Sequence, residues 1–258
     1  MSKVDVSELE ILKDSFSRQI PDSSTIAREV FKKALDGEVP SNWIKEHFSE
    51  LVEQLQVKAY ERYLQYEREA WRPAFAEAFA PKIRKCKNPE GVTNFIGNQF
   101  NTLDKFFLSR TQSRRSRAGM AFEVFLHDLF KRLRYPFTPQ PGIDGNPDFV
   151  FPSIDHYRND PQDSIVFTAK RTLRERWRQI VTEGARGLGF FLATIDENIS
   201  QAQIKEMQTE RIRLVVPARL KKSVRQFASA NNVISFEDFL DDALDPQMVK
   251  WKKYKVIN

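Results

Sequence analysis

The chain is predicted to be an α/β protein: a mixed central sheet flanked by helices, preceded by a helical N-terminal region. Three observations predict this. Over roughly the first 90 residues the apolar side chains recur at helical spacing, with no alternating runs. Beyond Pro147, short apolar runs rich in Val, Ile and Phe alternate with amphipathic stretches, the β-α-β-α order of a layered sheet. With 258 residues and 41% hydrophobic side chains, the chain has enough apolar mass to fill a core.

Taken in order, Ser24 with Glu29 opens a helix to about Leu35, and Gly37 and Pro40 end it. Ser41 is expected to cap a long helix through Trp43, Ile44, Phe48, Leu51, Val52 and Leu55, continuing by Tyr60, Tyr63 and Tyr66 to Trp71. Pro73 should interrupt it there, since proline removes a helix hydrogen bond and crowds the preceding turn. PKIRKCKNPE, residues 81–90, reads as a basic connector, which divides the chain into a helical region 1–90 and a core 91–258. In the core, a helix from about Ser116 to Arg134 carries Ala121, Phe122, Phe125, Leu126, Leu129 and Phe130 on one side. After the turn-rich PFTPQPGIDGNP come DFVFP, SIVFTAK, a helix from Leu173 to about Ala185, GFFLATI, a helix near Gln201–Gln208, IRLVVPA and a helix from about Leu220. Asp241, Asp242 and Asp245 near the end read as a solvated acidic run.

Several function classes fall away. One cysteine, Cys86, cannot make an internal disulfide, and His47, His127 and His156 are not at zinc-ligand spacing. No run approaches the length of a membrane span, and MSKVDVSELE lacks the apolar segment of a secretory signal, so a cytoplasmic protein without membrane contact is expected. The net charge of +6 is uneven. Residues 1–70 hold 10 basic and 14 acidic side chains, which leaves 31 basic and 21 acidic for residues 71–258. Arg110, Arg114, Arg115 and Arg117 occur with no acid between them, and Lys170, Arg171, Arg174, Arg176 and Arg178 enclose only Glu175. Solvated helix faces would account for either cluster alone. Two clusters dominated by Arg, whose planar fork fits phosphate and guanine, point to nucleic acid.

Asp148 follows Pro147 at the start of one strand-like run, Lys170 ends the next, and Glu183 lies thirteen residues further on. Neighbouring strands bring a carboxylate and a lysine to one sheet end, and the following helix can return a second carboxylate there. Phosphodiester hydrolysis uses such a set: carboxylates hold Mg²⁺, and a lysine steadies the nucleophile or the developing charge. In the common PD-(D/E)xK nuclease pattern an acid stands two residues before the lysine, where this chain has Thr168. Period-2 alternation points Thr168 and Lys170 to the same face, so Glu183 would be the relocated acid.

The stretches SRRSRAGMAFEVFLHDLF, PDFVFPSIDHY, AKRTLRERWRQIVTEG and IRLVVPARL resemble the EcoRII, SsoII and PspGI group of type II restriction endonucleases. The resemblance runs from about residue 112 to 220; the first 100 residues carry none. It implies a restriction-endonuclease-like PD-(D/E)xK core, Mg²⁺-dependent cleavage of double-stranded DNA, and a homodimer on a near-palindromic CC(N)GG-type site. Asp148 and Glu183 match the metal-holding acids, Lys170 the catalytic lysine, and Glu123 a helix acid beside the metal. Arg174, Glu175 and Arg176 match the base-reading triplet. The chemistry agrees, because Arg donates twice to guanine and a carboxylate accepts from cytosine N4. Gln112 matches a minor-groove residue, and Arg114, Arg115 and Arg117 are expected on phosphates. A companion DNA methyltransferase is implied. Some members of the group extrude the central bases; Trp43, Tyr60, Tyr63 and Trp71 are aromatic candidates for receiving them, none selected by a motif. Two alternatives stay open at this point, a non-catalytic sequence-specific DNA-binding protein and a repair-type nuclease of the same superfamily.

Overall fold

The computed structural model describes residues 7–143, 146–173 and 189–257. The chain divides into two compact units: Met1–Val30 with Val57–Met120, and Phe31–Gln56 with Ala121–Asn258.

The first unit is helical. Helix α1 (Glu8–Arg18) starts at Ser7, whose hydroxyl and the Glu10 carboxylate form a reciprocal capping box. Helix α2 spans Ser23–Ala34, α3 Ser41–Glu46, α4 Phe48–Ile83, α5 Pro89–Gly97 and α6 Phe100–Arg132; α3 belongs to the second unit, and α2, α4 and α6 each have residues in both. Leu12, Phe16, Ile26, Tyr63, Ala70, Ala74, Phe79 and Phe106 form this unit's core. Two expectations are corrected here. The helix expected from Ser41 is two helices that part at His47, with Pro40 at the cap position and no side-chain cap. Pro73 does not end the second, which carries both Pro73 and Pro81 inside its 36 residues. Proline in a helix interior costs about 3 kcal/mol, and the packing of Ala70, Ala74, Ala78 and Phe79 on both sides of Pro73 outweighs it.

The second unit is built on a six-stranded sheet in sequence order: β1 (Thr138–Pro139), β2 (Phe149–Phe151), β3 (Ile165–Ala169), β4 (Gly189–Ala193), β5 (Ile212–Val216) and β6 (Val233–Ser235). The first three pair antiparallel and β3 to β6 parallel, so the sheet is mixed. Parallel neighbours need crossovers. Gln201–Thr209, opened by a Ser200–Gln203 capping box, lies between β4 and β5, and Ala218–Ser223 with Arg225–Ala228 between β5 and β6. The helix expected from Leu173 to about Ala185 falls almost wholly outside the described residues. On one face of the sheet Val150, Val166, Leu192 and Leu214 pack with Ile204, Met207 and Phe227. On the other, Phe130 of α6 meets Phe149, Phe151 and Phe167 edge-on at 5.3–5.6 Å, with Phe239 and Phe48 beside it.

The end of the chain is more ordered than an acidic tail. A π-helical turn, Phe239–Leu244, leads into a final helix, Asp245–Lys253, whose Trp251 is completely buried. Asp241 and Asp242 are exposed as expected. Asp245 instead accepts from Tyr135 Oη at 2.6 Å and pairs with Lys45 at 2.5 Å.

Candidate active site

Strand β3 is buried along its whole length, so its two faces are sorted by alternation alone. Phe167 turns to the aromatic face and Val166 to the aliphatic one. Thr168 and Lys170 follow Val166. Because Phe149 pairs with Phe167, Asp148 stands opposite Thr168, one step beyond the last pair of that register. Cross-strand pairing thus delivers Asp148 to the point where β3 ends, and Lys170 continues the ladder there through its own N–H to the Ala193 carbonyl at 2.9 Å.

The side chains converge. Lys170 Nζ donates to Asp148 Oδ2 at 3.1 Å and lies 3.6 Å from Glu123 Oε1, so one ammonium faces two carboxylates. Asp148 Oδ2 also accepts from Thr168 Oγ1 at 2.9 Å and from the Ala169 N–H at 2.7 Å. Among the described residues, Oδ1 has only a 3.5 Å approach from the same ammonium. Helix α6 supplies Glu123, beside the buried Phe122 that holds that turn of the helix down. Burial pushes the Glu123 carboxyl up to about 7, and the charge of Asp148 adds to this; Lys170 opposes both and does not cancel them. Among the described residues two carboxylates share one cation, and hard oxygen donors are what a Mg²⁺-type ion takes. The donor set therefore fits a divalent metal ion.

Glu183, Arg174, Glu175 and Arg176 lie outside the described residues. The residues just before them are held by the loop after β4: Asp196 accepts from the Leu173 N–H at 3.1 Å, and Thr194 Oγ1 donates to the Arg171 carbonyl at 3.2 Å. The sequence reading passed over Thr194 and Asp196. Their signal is polar residues at the carboxyl end of a buried parallel strand, a position where sites are built in open sheets.

Gln112, Arg114, Arg115 and Arg117 belong to the helical unit, on α6. Gln112 and Arg115 are exposed. Arg114 pairs with the buried Glu67, and Arg117 donates to the Pro21 carbonyl at 2.8 Å and lies over the Tyr63 ring. Of the aromatic candidates, Tyr63 is buried and Trp71 packs among Phe75, Phe106 and Phe107. Trp43 stacks on His47, and Tyr60 is nearly half exposed.

A second acidic cluster, His156, Asp160 and Asp163, has its ligand atoms within 4.8 Å of one another. Asp163 is already engaged by Lys250, Gln247, His156 and the Trp251 indole, which ties the last helix to the turn that precedes β3.

The family model described as EcoRII C terminal matches residues 63–240, more than half of the chain. The type II restriction enzyme EcoRII of Escherichia coli is 37% identical over 141 residues, 51% of this chain and 35% of that protein. The type II restriction enzyme SsoII of Shigella sonnei is 28% identical over 178 residues, 64% of this chain and 57% of that protein. The matched part is thus about a third of one relative and little more than half of the other. Among solved structures, metal-depleted Ecl18kI in complex with uncleaved, modified DNA superposes with a TM-score of 0.84 at 23% identity, over 95% of this chain and 86% of that one. The restriction endonuclease PspGI–substrate DNA complex gives 0.64 at 21% identity, over 91% and 96%. These likenesses establish a restriction-endonuclease fold.

Proposed function

Because the chain belongs to the EcoRII C-terminal family, we propose that it is a type II restriction endonuclease, cutting double-stranded DNA at a CC(N)GG-type palindrome with Mg²⁺. The observation that carries this reading is the Lys170 ammonium set between Asp148 and Glu123 where β3 ends. A non-catalytic DNA-binding protein has no need of one buried and one half-buried acid around one lysine.

In this reading Asp148 and Glu183 hold the metal ion, with Glu123 beside it. The bound ion supplies positive charge to the phosphoryl oxygen and acidifies water. Lys170 orients the attacking water and offsets the charge that develops on the phosphate. Arg174 and Arg176 donate to guanine edges, Glu175 accepts from cytosine, and Gln112 reads a G·C pair from the minor groove. Arg115 is exposed and would meet phosphate directly, while Arg114 and Arg117 would exchange their internal partners for it. Two copies on one palindrome would each cut one strand, leaving 5′ overhangs. Of the four aromatic candidates, Tyr60 and Trp43 are the exposed ones for any extruded central base, whose extrusion costs a few kcal/mol of unstacking. A companion methyltransferase would protect the host's own sites.

The test is digestion of a plasmid of known sequence with Mg²⁺, beside EDTA and Lys170→Ala controls, with the fragment ends sequenced. Discrete ends at CC/GG sites, lost in both controls, support the reading. Intact DNA with Mg²⁺ and with Mn²⁺ overturns it in favour of a binding protein. Cleavage whose positions are unchanged by Glu175→Ala would instead indicate a repair-type nuclease.

A further inference from the structure

We infer that Thr168 is the positioning residue of this centre: its buried hydroxyl locks one oxygen of Asp148 so that the other is presented for metal or water. The inference rests on the nuclease reading and deepens it. At Thr168 the common motif carries an acid, and a hydroxyl there looks like a lost ligand. The geometry gives it a different task. Thr168 is completely buried, opposite Asp148 across the β2–β3 ladder, and donates from Oγ1 to Asp148 Oδ2 at 2.9 Å. The Ala169 N–H and Lys170 Nζ donate to the same oxygen at 2.7 and 3.1 Å. Three donors on Oδ2 fix the plane of the carboxylate, while among the described residues Oδ1 keeps only the 3.5 Å approach of Lys170.

A carboxylate that binds through one oxygen is useful only if the other is held, since a rotating group misplaces the ligand and its lone pairs. Valine at this position would have the same shape and no donor. The backbone N–H of Ala169 would remain, but Asp148 could then swing about that single fixed bond and Lys170's mobile one. Serine would keep the donor and lose only a methyl group. The residue two before the lysine therefore orients a ligand instead of being one.

The test compares Thr168→Val and Thr168→Ser with the wild-type full chain. Ca²⁺ alone is titrated calorimetrically into each protein bound to a CCNGG duplex, and the Mg²⁺ half-saturation of cleavage and the melting temperature in EDTA are measured alongside. Outer-shell partners of metal ligands typically contribute about 10–100-fold in affinity. The expected result is at least about ten-fold weaker Ca²⁺ binding, with a matching rise in Mg²⁺ half-saturation, for Thr168→Val. Thr168→Ser should stay within about three-fold of wild type, because a hydroxyl still donates. If Thr168→Val does not fold, Thr168→Ala takes its place in the comparison. Wild-type Ca²⁺ affinity in Thr168→Val overturns the inference, as does a Thr168→Ser protein impaired as deeply as Thr168→Val at equal melting temperature. Either result with an active wild type leaves the nuclease reading standing. A wild type that cuts nothing sinks both.

Discussion

At the scale of single residues, the centre is a contest over one ammonium. Lys170 is the cation within reach of Asp148 and Glu123 among the described residues, and burial, with the charge of Asp148 added, raises the Glu123 carboxyl against the pull of that ammonium. Replacing Lys170 by Ala removes the group that would orient water and offset charge, and a loss of about 10²–10⁴-fold in cleavage rate is expected, measured in single-turnover digestion of a short duplex. Metal-free DNA binding, followed by fluorescence anisotropy in EDTA, should survive, because phosphate contacts made elsewhere supply most of the affinity. A parallel loss of binding would mean that Lys170 serves the interface and not the chemistry.

Among the elements, α6 is held to the sheet by one side chain more than any other. Phe130 sits against the rings of Phe149, Phe151, Phe167, Phe48 and Phe239 and is completely buried. Phe130→Ala should cost about 3–5 kcal/mol, which lowers the melting temperature by about 6–20 °C at roughly 2–4 °C per kcal/mol. Cleavage should fall as well, since Glu123 lies two turns back on the same helix. The last helix is pinned differently. Burial pushes Asp163 up, but hydrogen bonds from Lys250 and His156, the charge of Lys250 and a bond from Gln247 together hold its carboxyl below the usual range. A depressed acid gives stability that is present above the unfolded carboxylate's pKa and is lost as pH falls through the folded value. Asp163→Asn should therefore lower the melting temperature at neutral pH, with the gap from wild type closing as pH drops below about 4. A gap that stayed constant to low pH would show that charge has no part in the pinning.

Across the whole molecule, the surplus of base over acid after residue 70 bears on DNA affinity through counterion release. Binding to a cognate duplex in EDTA is expected to weaken by about 10³–10⁵-fold between 50 and 200 mM salt if some six to ten phosphates are contacted. A slope near half of that would mean that Arg114 and Arg117 keep their internal partners, Glu67 and Pro21, in the complex. Sedimentation equilibrium should find two copies of the chain on one palindromic duplex; a single copy would contradict the proposed symmetric cleavage.

Local signals carried much of this architecture. Short apolar runs rich in Val, Ile and Phe mark β2 to β5, as expected of strands buried on both faces, and the two-residue period of a strand puts Thr168 and Lys170 on one face. Asp148 and Lys170 are paired by the sequence alone, since adjacent strands bring their ends side by side. Other features depend on partners distant in the chain. Pro73 stays inside a helix because packing from Ala70 to Phe79 outweighs a local penalty. Strands β1 and β6, of two and three residues, are too short for a periodic signal and exist through the strands they border. Glu123 reaches Lys170 because the buried side chains of α6, Phe122 and Phe130 among them, fix that helix in place. The Thr168 hydroxyl acquires its role from the β2–β3 register, which sets Asp148 opposite it. Sequence determined which residues could do the chemistry and which faces they share. Tertiary structure decided which of them meet, because hydrogen-bond geometry and burial are properties of neighbours in space.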